Sequence, residues 1–403
     1  MAEVKPNIET IAKIKVVGVG GGGSSAVNRM VEAKIKGVDF IVMNTDVQAL
    51  HYTKAPVKLH IGKTVTRGLG AGMNPELGRK AAEEAQNEIR DFLKGSDMVF
   101  VTCGLGGGTG SGASPIVAEI ARDLGALTIA VVTKPFSFEG AQRKTIAEQA
   151  YEELADKVDA IIVIPNDRIL QIVDKKASLI DSFRTADEVL RQGVEGISDL
   201  ITMPGLVNVD FADVKSIMHN AGSALMGIGI GTGENRAATA AKAAITSPLL
   251  ESSIEGARGV LFVITSGPDL GMHEVNDAAK IITSSADENA RVIFGTVIDE
   301  SMKGEVRVTV IASGFNGARS QRVKESEPAS TYTANRYLEE QPVEEEEDDA
   351  IVDTEETRAI FKTRVSRNNE GNESVTPEPK RPTKTTDEEE DLDIPAFIRR
   401  KMN

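Results

Sequence analysis

The sequence predicts an α/β protein: a mostly parallel sheet with glycine-rich loops, one long central helix, a second and smaller α/β domain, and a disordered acidic C-terminal linker. The first observation is an alternation of short β-branched apolar runs with helical patterns, which indicates parallel strands covered on both faces. The second is the position of the glycine clusters, which fall where strands pass into helices. The third is a change of composition beyond residue 316. In order, the apolar runs lie at residues 14–19, 39–43, 98–102, 127–133 and 160–164. A helical pattern without an internal proline then covers 178–202. Further strands are expected at 224–230, 260–265, 291–298 and 306–312, with helices near 234–246 and 274–286. This divides the chain into a flexible start (1–12), a first domain (13–177), a connecting helix (178–205), a second domain (206–316), a linker (317–390) and a tail (391–403).

Composition excludes several classes. With 403 residues and 40% apolar content the chain can bury a sizeable core. No run approaches the roughly 18 apolar residues of a membrane span, and the opening MAEVKPNIETIAK has no apolar signal core. We therefore expect a cytoplasmic protein that does not insert into membranes. The single Cys103 supports no disulfide framework, and no Cys/His cluster has zinc spacing. A formal net charge of −15 argues against nucleic acid as a partner. Much of that charge lies in 317–390, where 20 acidic and 11 basic residues accompany few large apolar ones. Such a segment cannot bury enough apolar area to offset its ordering entropy.

The first strand leads directly into Gly18-Val19-Gly20-Gly21-Gly22-Gly23-Ser24-Ser25, with a helix expected from about Ala26. Glycines let the backbone approach an anion, and the following helix start presents free N–H groups and the positive end of its dipole. The same residues satisfy G-x-G-x-x-G, so a dinucleotide fold with Asp39 or Asp46 on the ribose stays open, as does a tight turn without ligand. A second loop, Gly104-Leu105-Gly106-Gly107-Gly108-Thr109-Gly110-Ser111-Gly112, also precedes a helix. A third, residues 68–75, ends in Pro75, suited to a first helical turn. Three such loops suggest a chain of phosphates gripped from several sides. A lysine-bearing phosphate loop is absent, because Val57 occupies the leading glycine position before Gly62-Lys63-Thr64. Charge neutralisation must then come from amide dipoles and a metal ion, for which Mg²⁺ is the expectation.

GGGTGSG at 106–112 resembles the tubulin signature, and NVDFADV at 208–214 with DIPAFIRR at 393–400 resembles the FtsZ family of bacterial cell-division GTPases. The resemblance covers about 10–316 plus the last dozen residues. It implies GTP or GDP as the ligand. It places phosphates against Gly20, Gly21, Gly22, Gly23, Ser24, Ser25, Ala71 and Gly72, and against Gly104, Gly106, Gly107, Gly108, Thr109 and Gly110, with Asn44 nearby. Ser25 departs from the pattern, since many relatives carry Asn there. The ribose falls to Glu139 and Arg143, which also read as an ordinary i,i+4 surface pair. Guanine offers two N–H donors that a carboxylate accepts and adenine does not, which suits Asp187. Phe183, one helical turn earlier, can stack on the base, and Asn166 can bond it from the other side. Read alone, Phe183 is equally a core residue and Asp187 a solvated helix residue.

No base stands near the glycine loops. Asp210 and Asp213, three apart, read either as a helix N-cap with a first-turn acid or as catalytic carboxylates. The resemblance implies the second role in trans, with Asn208 near the γ-phosphate of the next subunit: a head-to-tail homopolymer whose hydrolysis is activated by assembly. It also implies that residues 391–403, apolar then basic, fold on docking to division-regulating and membrane-tethering proteins at a mid-cell ring. A soluble NAD-dependent oxidoreductase built on the first loop, or a nucleotide-dependent scaffold without turnover, are the alternatives.

Overall fold

A computed structural model describes residues 12–315 except 174–176, 204–206, 208, 251–252 and 303. The expectations for residues 1–11, for the linker and tail, and for Asn208 lie outside the described residues. The first half of the fold runs β1 (Ile14–Val19), α1 (Gly20–Glu32), β2 (Val38–Asn44), α2 (Val47–Tyr52), β3 (Val57–His60), α3 (Pro75–Glu84), α4 (Gln86–Leu93), β4 (Met98–Gly104), α5 (Gly108–Asp123), β5 (Leu127–Lys134), a 3₁₀ turn at Ser137–Glu139, α6 (Ala141–Ala155) and β6 (Ala160–Pro165). There follow α7 (Asn166–Ile169), α8 (Leu179–Thr202), α9 (Phe211–Met218), β7 (Gly222–Thr232), α10 (Arg236–Ile245), β8 (Gly259–Ser266), α11 (Met272–Thr283), β9 (Arg291–Ile298) and β10 (Glu305–Ser313).

The strands form one sheet in the order β3-β2-β1-β4-β5-β6-β7-β10-β8-β9. The first six are parallel, and successive connections leave β1 in opposite directions toward β2 and β4. That reversal is a topological switch point, where a crevice opens beyond the carboxyl ends of the strands. Alternate strand residues feed two cores. Val16, Phe40, Phe100 and Ile129 pack on one face with Val27 and Met30 of α1 and with Leu190, Val194 and Ile197 of α8. Val17, Ile41, Val99 and Val101 pack on the other with α3 to α6. A third core lies between β8, β10 and helices α10 and α11. A short parallel ladder, Ala160–Gly222 to Ile162–Ala224, continues the sheet from β6 into β7, and β10 then runs antiparallel to both β7 and β8.

Two helices span the sheet from end to end. The 24 residues of α8 cover about 36 Å. It starts on a Ser178 capping box beside the carboxyl ends of the strands. It ends against Gly37, just before β2, where an added Cβ would lie 2.6 Å from Thr202 Cβ. The 16 residues of α5 cover about 24 Å in the same sense.

The first helix differs from expectation. It begins at Gly20, not Ala26, so the glycines form its first turn. Packing requires them there: a Cβ on Gly23 would lie 2.4 Å from the Thr102 carbonyl oxygen, and one on Gly20, at φ +71°, 2.8 Å from Gly110 N. The third loop behaves as expected, with Asn74 capping α3 and Pro75 in its first turn.

Candidate functional site

The three glycine loops converge at the switch point on an open cleft of about 440 Å³. Gly21, Gly22 and Ser25 of α1, Gly72 of the third loop, and Gly104, Gly107, Gly108, Thr109 and Gly110 line it. Neither α1 nor α5 has a side-chain cap, so the first-turn amides other than that of Gly108 remain available to an anion. A Cβ added to Gly21, Gly72 or Gly107 would meet nothing within 4 Å, so these glycines keep space open in front of the amides. Gly108 N donates to Gly72 O at 2.7 Å, which fastens the third loop to the second. Thr109 is fixed from below by a 2.7 Å hydroxyl contact with Thr45.

The other expected residues reach the same cleft. Glu139, Arg143, Asn166, Phe183 and Asp187 all line it. Glu139 Oε1 accepts the Phe136 N–H at 2.9 Å and Oε2 accepts Arg143 Nη1–H at 2.7 Å, so the i,i+4 pair and the cleft wall are one feature. Asn166 is buried, and its Oδ1 has no partner among the described residues. A buried acceptor left open on a cleft is costly unless a ligand donor fills it. Phe183 makes an edge contact with Phe136, the ring centroids 5.3 Å apart, and leaves a face exposed. Asp187 accepts from Arg29 Nε at 3.3 Å. Burial pushes its carboxyl up to about 6, against the opposing pull of Arg29.

Several expected residues are beside the cleft but do not line it. Ser24 donates to Gly20 O at 2.7 Å, and Gly20 and Gly23 hold α1 against β4 and α5. Gly106 takes φ +96° and approaches the Arg143 backbone, and its amide donates to Ser111 Oγ at 2.9 Å. Ala71 is buried, and Asn44 is buried with Oδ1 accepting from Asp46 N at 3.3 Å. Ser25 lines the cleft, on an exposed position of α1.

Arg29 and Thr133 were not anticipated. Thr133 lies in β5 next to its carboxyl end, at the crevice, where the switch-point rule points. Arg29 meets Asp187 across 158 residues, which no local pattern signals. The carboxylates offered for a dinucleotide ribose are elsewhere. Asp39 is exposed at the start of β2, away from the loops, and Asp46 Oδ1 caps α2 by accepting from Gln48 N and Ala49 N. Lys63 pairs with Glu88 at 2.9 Å, outside the cleft.

Asp210 and Asp213 do not join the cleft. Asp210 caps α9, its Oδ1 accepting Asp213 N–H at 2.8 Å, and both are exposed. The far end of α9 is anchored at the opposite edge of the sheet, where Asn220 N donates to Asp159 at the start of β6.

This geometry can be set beside known proteins. Residues 13–174 match the Tubulin/FtsZ family, GTPase domain, and residues 222–316 match the FtsZ family, C-terminal domain. An empty FtsZ dimer from M. jannaschii is similar at 46% identity, with a TM-score of 0.74 over 76% of this chain and 89% of that one. The chain belongs to the FtsZ family. A tryptophan-to-tyrosine mutant of the M. jannaschii FtsZ gives 46% identity and a TM-score of 0.73 over 76% and 92% of the two chains. CetZ2 from Haloferax volcanii, a GTPγS-bound protofilament, shares the fold at 21% identity and a TM-score of 0.63 over 74% and 92%. The FtsZ assignment makes the cleft that of a tubulin-type GTPase domain, and the NAD reading falls with it.

Proposed function

We propose that this FtsZ chain binds GTP in the glycine-lined cleft, polymerises head to tail, and hydrolyses GTP only where one subunit meets the next. The observation that carries this reading is a separation. The cleft is lined by the first half of α8, from Phe183 to Leu190, and the expected catalytic acids follow the other end of that helix, about 18 Å of helix beyond Leu190.

Within the cleft, Asp187 would accept the two guanine N–H donors, the orphan Oδ1 of Asn166 a further base hydrogen, and Phe183 would stack on the ring. Glu139 and Arg143 would meet the ribose. The phosphates would lie on the first turns of α1 and α5, with Gly72 closing the third side. Among the described residues no three His, Cys, Asp or Glu side chains cluster as a metal site. A bound Mg²⁺ would supply charge neutralisation beside the phosphates. Asp210 and Asp213 of the adjoining subunit would orient the attacking water, with Asn208 near the γ-phosphate. Phosphoryl transfer depends on positioning and electrostatics, so acids supplied in trans suffice. A heterologous contact of this kind does not close and generates filaments.

In the cell we place these filaments in the cytoplasm at the division site, as the scaffold of the septal ring. Residues 391–403 would dock regulating and membrane-tethering proteins. No helix among the described residues is long and apolar enough to cross a membrane, which suits recruitment by such partners.

Phosphate release and light scattering, followed together against protein concentration with GTP, test the reading. Specific activity should rise above a threshold that coincides with scattering. A rate per molecule independent of concentration refutes activation by assembly. Asp213→Ala should bind GTP normally and release almost no phosphate; wild-type turnover by that variant refutes the catalytic assignment.

A further inference from the structure

The turn that follows α9 is tied to the rest of the protein by a chain of polar side chains that neither the cleft nor the acids use. Asp159 is 2% exposed. Its carboxylate accepts Thr128 N–H at 2.9 Å and Asn220 N–H at 3.4 Å, and lies 2.8 Å from His219 Nδ1. His219 Nε2 lies 3.0 Å from Asn220 Nδ2. Asn220 Oδ1 accepts Arg122 Nη2–H at 2.8 Å, and Arg122 Nη1 also donates to Asp156 O at 3.3 Å.

These contacts assign the ring tautomer and the amide orientation. Arg122 can only donate, so Asn220 must present its oxygen there and its NH₂ to His219. Nε2 then accepts, and Nδ1–H donates to Asp159. Every contact from Arg122 through Asn220 and His219 to Asp159 thus has one donor and one acceptor. Asn220 holds its place at φ +53°, a backbone conformation that glycine adopts without strain.

The two ends of this chain matter. Arg122 is in the last turn of α5, the helix whose first turn, Gly108 to Gly110, lines the nucleotide cleft. His219 is the C-cap of α9, whose N-cap is Asp210 and whose first turn holds Asp213. We propose that Arg122, Asn220, His219 and Asp159 form a positioning relay that sets the orientation of α9, and so of Asp210 and Asp213, by reference to the phosphate-bearing helix α5. The inference rests on the proposed role of the acids in trans. None of the four touches nucleotide; they act through α9. The buried Asp159 anchors the relay to the sheet, and the Asn220 side chain is its exposed middle link.

The test uses the full chain carrying Asn220→Gly, which cuts both side-chain links while suiting the left-handed backbone, so folding is preserved. Turnover, KM, the assembly threshold by light scattering, and nucleotide affinity of dilute, unassembled protein are measured beside wild type. We expect affinity, KM and threshold within twofold of wild type and kcat reduced about tenfold, the scale of a sub-ångström misplacement of catalytic groups. Arg122→Met, at an exposed position, should lower kcat in the same direction, and Arg122→Lys, which keeps a donor for Asn220, should restore most of it. Unchanged kcat in both Asn220→Gly and Arg122→Met overturns the relay. So does a fall in rate accounted for entirely by a raised threshold or weakened nucleotide binding. A wild-type rate without a concentration threshold instead overturns assembly-activated hydrolysis, and is read from the wild-type arm alone.

Discussion

Replacing Asp187 by Asn should exchange the base specificity of the cleft. The carboxylate is mostly buried and among the described residues its side-chain partner is Arg29 Nε at 3.3 Å; burial pushes its carboxyl up to about 6. Guanine N1–H and N2–H would supply two charge-assisted hydrogen bonds to the ionised form. Hydrogen bonds to charged groups contribute about 1.5–3 kcal/mol each, so losing this recognition lowers GTP affinity on the order of 10²-fold or more. The Asn amide offers a donor where xanthine offers a carbonyl in place of the amino group, so Asp187→Asn should prefer xanthosine triphosphate. Because binding requires the ionised acid, wild-type affinity for GTP should fall about tenfold between pH 7 and pH 5. The γ-phosphate titrates too, so the same pH series with xanthosine triphosphate on Asp187→Asn serves as the control. The stability of the free protein follows the opposite course. The folded carboxyl holds its proton more tightly than the unfolded one, so stability declines as pH rises from about 4 to about 6. The loss is on the order of 3 kcal/mol, and the Asn variant should be spared it. Titration calorimetry with both nucleotides and denaturant unfolding at several pH values read these effects. GTP affinity unchanged in Asp187→Asn would refute the base-recognition argument.

Two further predictions separate packing from function. Gly21→Ala places its Cβ where nothing lies within 4 Å, so the melting temperature should stay within about 2 °C while nucleotide affinity drops at least tenfold by steric exclusion of phosphate. Gly112→Ala would put Cβ 1.9 Å from Pro75 O, forcing α3 from α5 and destabilising by about 3 kcal/mol or more in urea unfolding. Asp199 faces Glu195, Asp299, Glu300 and Arg307 in a cleft of about 210 Å³ between α8 and the ends of β8 to β10. Burial, then the Glu195 charge, push its carboxyl up to about 7. Stability should therefore fall as pH rises from about 4 to 7, and Asp199→Asn should be more stable than wild type at pH 8 by a few kcal/mol. Identical pH slopes for the two in urea unfolding would refute the electrostatic origin.

Strands were most legible where periodicity and chemistry agreed. The runs at β1 and β9 stand in the sequence as they stand in the sheet, because β-branched residues are bounded by glycine or charge. Strand β3 escaped notice, since VKLH carries two basic-type residues in four and forms only by pairing with β2. The six-residue α2 is too short for a periodic signal, and the break at Ala85 between α3 and α4 has neither proline nor glycine to mark it. The start of α1 was misplaced because glycine is a poor helix former. Tertiary contact overrides that propensity, since only a residue without Cβ lets the helix lie against Thr102 O and Gly110 N. The loops of the cleft were legible from composition. Arg29 was not, because its partner is brought to it by α8 from far along the chain.

The split of the site follows from the direction of the elements. Parallel strands deliver all their carboxyl ends, and the glycine loops, to one edge of the sheet. The cleft there has uncapped helix starts and, among the described residues, no lining lysine, while Arg143 and Arg29 already answer Glu139 and Asp187. Such a site suits binding, and its lining carboxylates Glu139 and Asp187 are engaged by arginines. The chain then leaves through α8, which must run the length of the sheet before the next segment starts, so Asp210 and Asp213 emerge at the other edge. No side-chain rotation covers that distance. On the proposed mechanism the acids can serve only a cleft belonging to another copy, with the same edge-to-edge relation repeated at every contact. Filament growth and hydrolysis are then consequences of one geometric fact, and a variant that blocks either edge should lose both together.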